Sequence, residues 1–134
     1  MKTKQVIVWR ADVKTASGHK LRSGKLMAQA SHGAIGSCFS LGERVGNKII
    51  FDLDKHPYLL NWFETGETKI VLQCKDEKGL VEIFQKAKQA GLPCRLITDA
   101  GRTEFNGVPT KTCIGIGPAW VEDIDKITGE LETY

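Results

Sequence analysis

Three groups of residues in this chain have the types and spacing to do chemistry. The first is Ser23-Gly24-Lys25-Leu26-Met27-Ala28-Gln29-Ala30-Ser31-His32. Lys25 falls in the first turn of an expected helix, where free backbone N–H groups already favour an anion. Gln29 lies four residues on and His32 three further, so a cation, an amide and an imidazole share one row. Such a row suits holding a phosphate or a carbonyl and assisting proton transfer. A polar helix face in water has the same pattern.

The second group is Asp99-Ala100-Gly101-Arg102-Thr103, directly after an expected strand. In open α/β sheets ligands gather beyond the carboxyl ends of the strands, which places Asp99 well for a base or a water-orienting carboxylate. Its alternative is a turn former that bonds its own backbone. The third is Thr110-Lys111-Thr112, whose two hydroxyls point to the same side of a strand. Alternating threonine is also ordinary strand composition. Gly115-Ile116-Gly117-Pro118 lacks the spacing of a dinucleotide or phosphate-loop fingerprint. No metal-ligand cluster is visible among the scattered histidines and cysteines.

The elements that must position these groups follow from periodicity. Lys4 to Arg10 is rich in β-branched and aromatic residues and predicts a buried first strand. Ala11 to Arg22 has no period and is a long loop. Ser23 is an N-cap candidate for a helix from about Gly24 to Leu41, with Met27, Ala30, Ala34, Cys38 and Leu41 as its apolar stripe. Gly33 and Gly36 cost about 1 kcal/mol each relative to alanine in a helix, which suggests close approach by the sheet or by a partner. Gly42 to Asp54 fits either a helix start or an extended piece. Pro57 starts a short helix reaching Trp62 and Phe63. Lys69 to Lys75 and Cys94 to Thr98 read as strands flanking a helix capped by Asp76, which makes a crossover with a parallel pair. Thr110 to Ile116 is the fourth strand, and Pro118 opens a last helix. The result is one α/β domain over residues 1–134 with a mixed four-stranded sheet.

The 134 residues are 41% hydrophobic and 26% charged, with a net charge of +3. These are globular values, and no apolar run is long enough for a membrane span. Without a signal-peptide pattern at Met1 to Gln5, the cysteines Cys38, Cys74, Cys94 and Cys113 are expected to be reduced thiols of a cytoplasmic protein. The charge is unevenly spread. From Val13 to Gly42 there is no acidic residue, while Lys14, Lys20, Arg22 and Lys25 all fall there. That segment can offer a positive field to phosphates; a solvated lysine-rich loop reads the same way.

Taken together and in this order, the Lys25-x-x-x-Gln29-x-x-His32 helix, the Asp99-Ala100-Gly101-Arg102-Thr103 turn and the stretch from Thr110 to Ala119 resemble the type 2 peptidyl-tRNA hydrolases. The opening strand and Asp125-Lys126-Ile127-Thr128-Gly129 resemble them too, so the likeness spans Lys4 to Leu131. It departs from the family pattern in the loop Thr15 to Arg22, at Asn106 to Pro109 and at Trp120. The resemblance implies a four-stranded sheet with helices on both faces, commonly a homodimer, and cleavage of the ester between a peptide and the tRNA 3′ end without metal or cofactor. It implies active-site positions at Lys25, Gln29, Asp99 and Thr110. His32, Arg102, Thr103 and Thr112 match further motif positions, and Lys14, Lys20 and Arg22 are the expected contacts to the tRNA backbone. The alternative is a non-catalytic tRNA- or partner-binding module on the same fold.

Overall fold

Side chains alternate about β1 (Thr3–Arg10), and the alternation sorts the core into two layers. Val6 and Val8 enter one cluster with Leu72, Ile114, Ile116, Leu80 and Ile124. Ile7 and Trp9 enter another with Val13, Leu21, Phe105 and Cys113. A strand buried on both faces must be covered on both, which is why β1 lies at the centre of the sheet. The computed structural model describes all residues from Met1 to Tyr134.

After β1 come α1 (Ser23–Phe39), a hairpin of β2 (Glu43–Val45) and β3 (Lys48–Ile50), and α2 (Pro57–Glu64). Then follow β4 (Lys69–Cys74), α3 (Glu77–Gln89), β5 (Cys94–Asp99), β6 (Thr110–Trp120), α4 (Val121–Thr128) and β7 (Glu132–Thr133). The main sheet runs β5-β6-β1-β4-β7; β1 pairs parallel with β4 and antiparallel with β6. The mixed α/β sheet is as expected, with one more strand than predicted, because the two-residue β7 closes the outer edge of β4. α1 covers one face, where Leu26, Ala30 and Ala34 pack on the cluster that holds Ile7 and Trp9. Leu80 and Ala87 of α3 and Ile124 of α4 cover the other.

Several local expectations change. β4 and β5 are joined through α3 but are not neighbours, since β1 and β6 lie between them. The stretch after Gly42, which in sequence fits either a helix start or an extended piece, forms the β2–β3 hairpin. Pro118 does not open a helix: β6 carries through it to Trp120, and α4 starts at Val121. Ser23 is the first helical residue of α1, not its cap; Arg22 holds the cap position, and its side chain makes no capping bond to the helix.

The buried stripe of α1 also differs from the apolar one. Gln29, Gly33, Gly36 and Ser37 are buried, and Met27 is 64% exposed. The glycines explain this. A Cβ on Gly115 of β6 would collide with the carbonyl of Gly33, so helix and strand meet backbone to backbone. The slim face of α1 therefore serves the sheet.

Candidate active site

The close seating of α1 on β6 sets the depth of its polar row. Lys25 lies at the rim in the first turn, and Gln29, one turn deeper, is 3% exposed. A buried amide needs partners for its acceptor and its donors. Thr112 supplies the first, donating its hydroxyl to Gln29 Oε1 at 2.6 Å, while Gln29 Nε2 donates to Asp99 Oδ1 at 3.1 Å. These two bonds fix which end of the carboxamide faces Asp99.

A bulge makes the Thr112 contact. One step along β5, from Ile97 to Thr98, corresponds to two along β6, from Cys113 to Lys111. Thr112 is the extra residue, so it and Cys113 both turn to α1, where the Cys113 thiol meets the Gln29 carbonyl at 3.3 Å. Lys111 faces the other way, 3.8 Å from Glu77 of α3. Burial pushes the Cys113 thiol up to about 12, and burial also raises those of Cys38, Cys74 and Cys94. These thiols are poor nucleophiles at neutral pH.

Asp99 closes β5 and collects three donors. Lys25 Nζ lies 2.8 Å from Oδ1, which also accepts from Gln29, and Oδ2 accepts from the Gly101 N–H at 2.9 Å. The pair is largely sheltered, with side-chain exposures of 17% for Lys25 and 12% for Asp99. Burial alone would raise the pKa of Asp99. The bonded Lys25 ammonium, the Gly101 N–H and the Gln29 amide outweigh it and hold the carboxyl below its ordinary value. The Lys25 ammonium also donates to Thr103 Oγ1 at 3.1 Å and sits 5.9 Å from the Phe105 ring centre. Each group keeps spare capacity: a lone pair on Oδ2, an N–H on Lys25 and an N–H on Gln29.

The loop after Asp99 folds back on itself. Gly101 has φ of 82°, and a side chain there would meet the Val108 backbone, so only glycine fits. Glu104 in this loop, overlooked in the sequence, has a side chain 7% exposed and takes Arg22 Nε at 2.9 Å, while its Oε2 has no partner. Phe105, also overlooked, is a core anchor beneath Lys25. No local signal marks a buried carboxylate in a polar loop.

The remaining predicted residues spread around this centre. Thr110 pairs with Asp99 across the strands, but its hydroxyl donates to the Val108 carbonyl at 2.9 Å. His32 is exposed on the wall of a groove of ≈ 510 Å³ between α1 and β5. Lys20 and Arg22 border a polar hollow of ≈ 450 Å³ on the other side, with Thr103 and Glu104. Lys14 and Arg102 are exposed on the two loops. The loop from Lys14 to Leu21 is tied down at both ends by buried Val13 and Leu21, and by the Ala16 N–H on the Glu104 carbonyl. A wider hollow of ≈ 710 Å³ lies among β4, α3 and the C-terminal residues. Its charged side chains do not bond to one another, so the bonded cluster at Asp99 is the better candidate site despite the smaller space beside it.

The family described as Peptidyl-tRNA hydrolase PTH2 matches residues 3–134. A protein of Methanopyrus kandleri named peptidyl-tRNA hydrolase is 41% identical over 96% of this chain and 95% of its own length. Its namesake in Thermococcus sibiricus is 36% identical over 98% of this chain and 97% of its own. The one in Halobacterium salinarum is 36% identical over 98% and 99%.

Proposed function

This chain belongs to the Peptidyl-tRNA hydrolase PTH2 family and is a hydrolase of peptidyl-tRNA, and we propose that it cleaves the peptide–tRNA ester at the Asp99 cluster. The observation that carries the assignment is the convergence of Lys25 and Gln29, from one helix, on a single oxygen of Asp99. Water attacks the ester carbonyl directly: its oxygen bonds the carbonyl carbon, the bond to the ribose 3′ oxygen breaks, and a proton of the water passes to that leaving oxygen, giving a free peptide acid and a tRNA 3′-hydroxyl. Asp99 Oδ2 keeps a lone pair for a hydrogen of that water, and Thr110, opposite Asp99, offers a second acceptor. A carboxylate held below its ordinary pKa is a weak base, so Asp99 acts chiefly by orienting the water.

Charge develops on the carbonyl oxygen as water adds. The remaining N–H groups of Lys25 and Gln29 are donors for it, already held in place by Asp99, Thr103 and Thr112. Thr112 is a positioning residue that works through Gln29. The tRNA acceptor end lies on the side of the polar hollow, where Lys14, Lys20, Arg22 and Arg102 meet its phosphates, while His32 stands on the wall of the groove between α1 and β5. The uncapped start of α1 supports an anion there.

We also propose that the protein works in the cytoplasm as a homodimer. No helix is long and apolar enough to cross a membrane. The exposed Val45, Ile49 and Ile50 of the hairpin supply apolar surface for a dimer contact. Sedimentation of the purified protein tests the assembly. The activity is tested with N-acetylated aminoacyl-tRNA beside the unblocked aminoacyl-tRNA. Cleavage of the blocked ester alone, with no acyl-enzyme in rapid quench, is the expected result; binding without cleavage would move the assignment to a tRNA-binding module.

A further inference from the structure

The groove beside the cluster has an unusual floor. Its lining takes in Gln29 and Asp99 at one end, then Ile35 and Phe39 of α1, and every residue of β5 from Arg95 to Asp99. One face of a strand offers only alternate residues, so it is the edge of β5 that borders the groove. β5 pairs with β6 alone and is the outer strand of the sheet. The backbone N–H and C=O groups on its free side therefore have no partner within the fold. Such an edge is a template for an added strand.

We infer that the peptide part of the substrate binds here as an extra strand along β5, running from the ester at Asp99 toward Phe39. The inference rests on the assignment of Asp99 as the reaction centre. The six residues of β5 span about 20 Å at roughly 3.3 Å per residue, room for four or five peptide residues. The helix wall from Gln29 to Phe39 runs a similar distance, about 15 Å. Main-chain pairing suits a substrate whose side chains vary, because backbone amides are the feature every peptide shares. Ile35 and Phe39, 58% and 51% exposed, meet alternate side chains without demanding one sequence. The two halves of the substrate thus leave the cluster on opposite sides, peptide along β5 and tRNA over the polar hollow.

The test uses the full chain and tRNAs carrying N-acetylated peptides of one to about six residues. kcat/KM should rise with length and level off at four or five residues. N-methylation of peptide amides in one alternate phase should lower it about fivefold per bond removed, with little effect in the other phase. Ile35→Glu should lower kcat/KM on the pentapeptide substrate several-fold more than on the single-residue one. Length-independent cleavage, or equal tolerance of N-methyl groups in both phases, would overturn the inference and leave the active-site assignment standing. A wild-type dimer that Ile35→Glu converts to monomer, with length dependence intact, gives the groove to a second copy and overturns it too. Failure to cleave even the single-residue substrate would overturn the reaction centre and the inference together.

Discussion

Replacing Thr112 by valine isolates the role of Gln29 without touching the groups around Asp99. Valine keeps the shape of threonine, so no cavity opens in a position that is fully buried. What disappears is the hydroxyl that donates to Gln29 Oε1 at 2.6 Å. Stranding a buried acceptor costs about 1–3 kcal/mol, which for a domain of this size lowers Tm by roughly 3–12 °C. The carboxamide then has one anchor instead of two, and its remaining N–H no longer points reliably at the carbonyl oxygen. kcat should fall about tenfold with KM little changed, since the lost interaction belongs to the transition state. Thr112→Ser, which keeps the hydroxyl, should restore most of kcat. In a cycle with Gln29→Ala, Thr112→Val should add almost nothing to the kcat loss. Cleavage is followed by release of labelled peptide and stability by calorimetry. Wild-type kcat in Thr112→Val, or a loss that serine fails to rescue, would refute the positioning argument.

Three further outcomes follow from the geometry. Gly115→Ala should destabilise by about 2–3 kcal/mol because its Cβ meets the Gly33 backbone, whereas Gly36→Ala should cost less, since it meets the stem of the Arg95 side chain, which must shift, and no backbone; urea midpoints of the two variants decide this. Asp99 has a folded pKa below its unfolded value of about 4, so its contribution to stability is complete above that pH and is lost as pH falls through the lower folded value. The kcat/KM profile should therefore show no Asp99 limb between about pH 5 and 8, and an acid limb that moves with Asp99 variants in that range would contradict the orienting role. Binding of tRNA should weaken linearly in log–log plots against salt, and Lys20→Ala should lower the slope by about one while leaving sequence preference unchanged.

Much of this could be read in the chain, for local reasons. The Asp76 cap, which accepts from the Gly79 N–H, stands as predicted, and the core face of α3, with Leu80, Ile83, Phe84 and Ala87, is likewise a matter of three- and four-residue spacing. The same spacing put Lys25 and Gln29 in one row. What closes the site is not local. Thr112 meets Gln29 across 83 residues through a bulge, and Asp99 meets Lys25 across 74. The buried side of α1 was misread because glycine and serine carry no hydrophobic signal, and they are buried by backbone contact with β6. Pro118 suggested a helix start, yet the strand runs on through it. Nothing in a linear sequence indicates that β5 is an edge or that Glu104 is buried beside Arg22.

The most direct test of the account is Asp99→Asn, assayed on N-acetylated aminoacyl-tRNA at saturating substrate with folding checked by calorimetry. Asparagine keeps the size of the side chain but removes the charge that holds Lys25 and orients the water. A folded variant whose kcat falls by about a hundredfold or more, with tRNA binding retained, is the predicted result. A folded variant with near-wild-type kcat would contradict the placement of the reaction at Asp99.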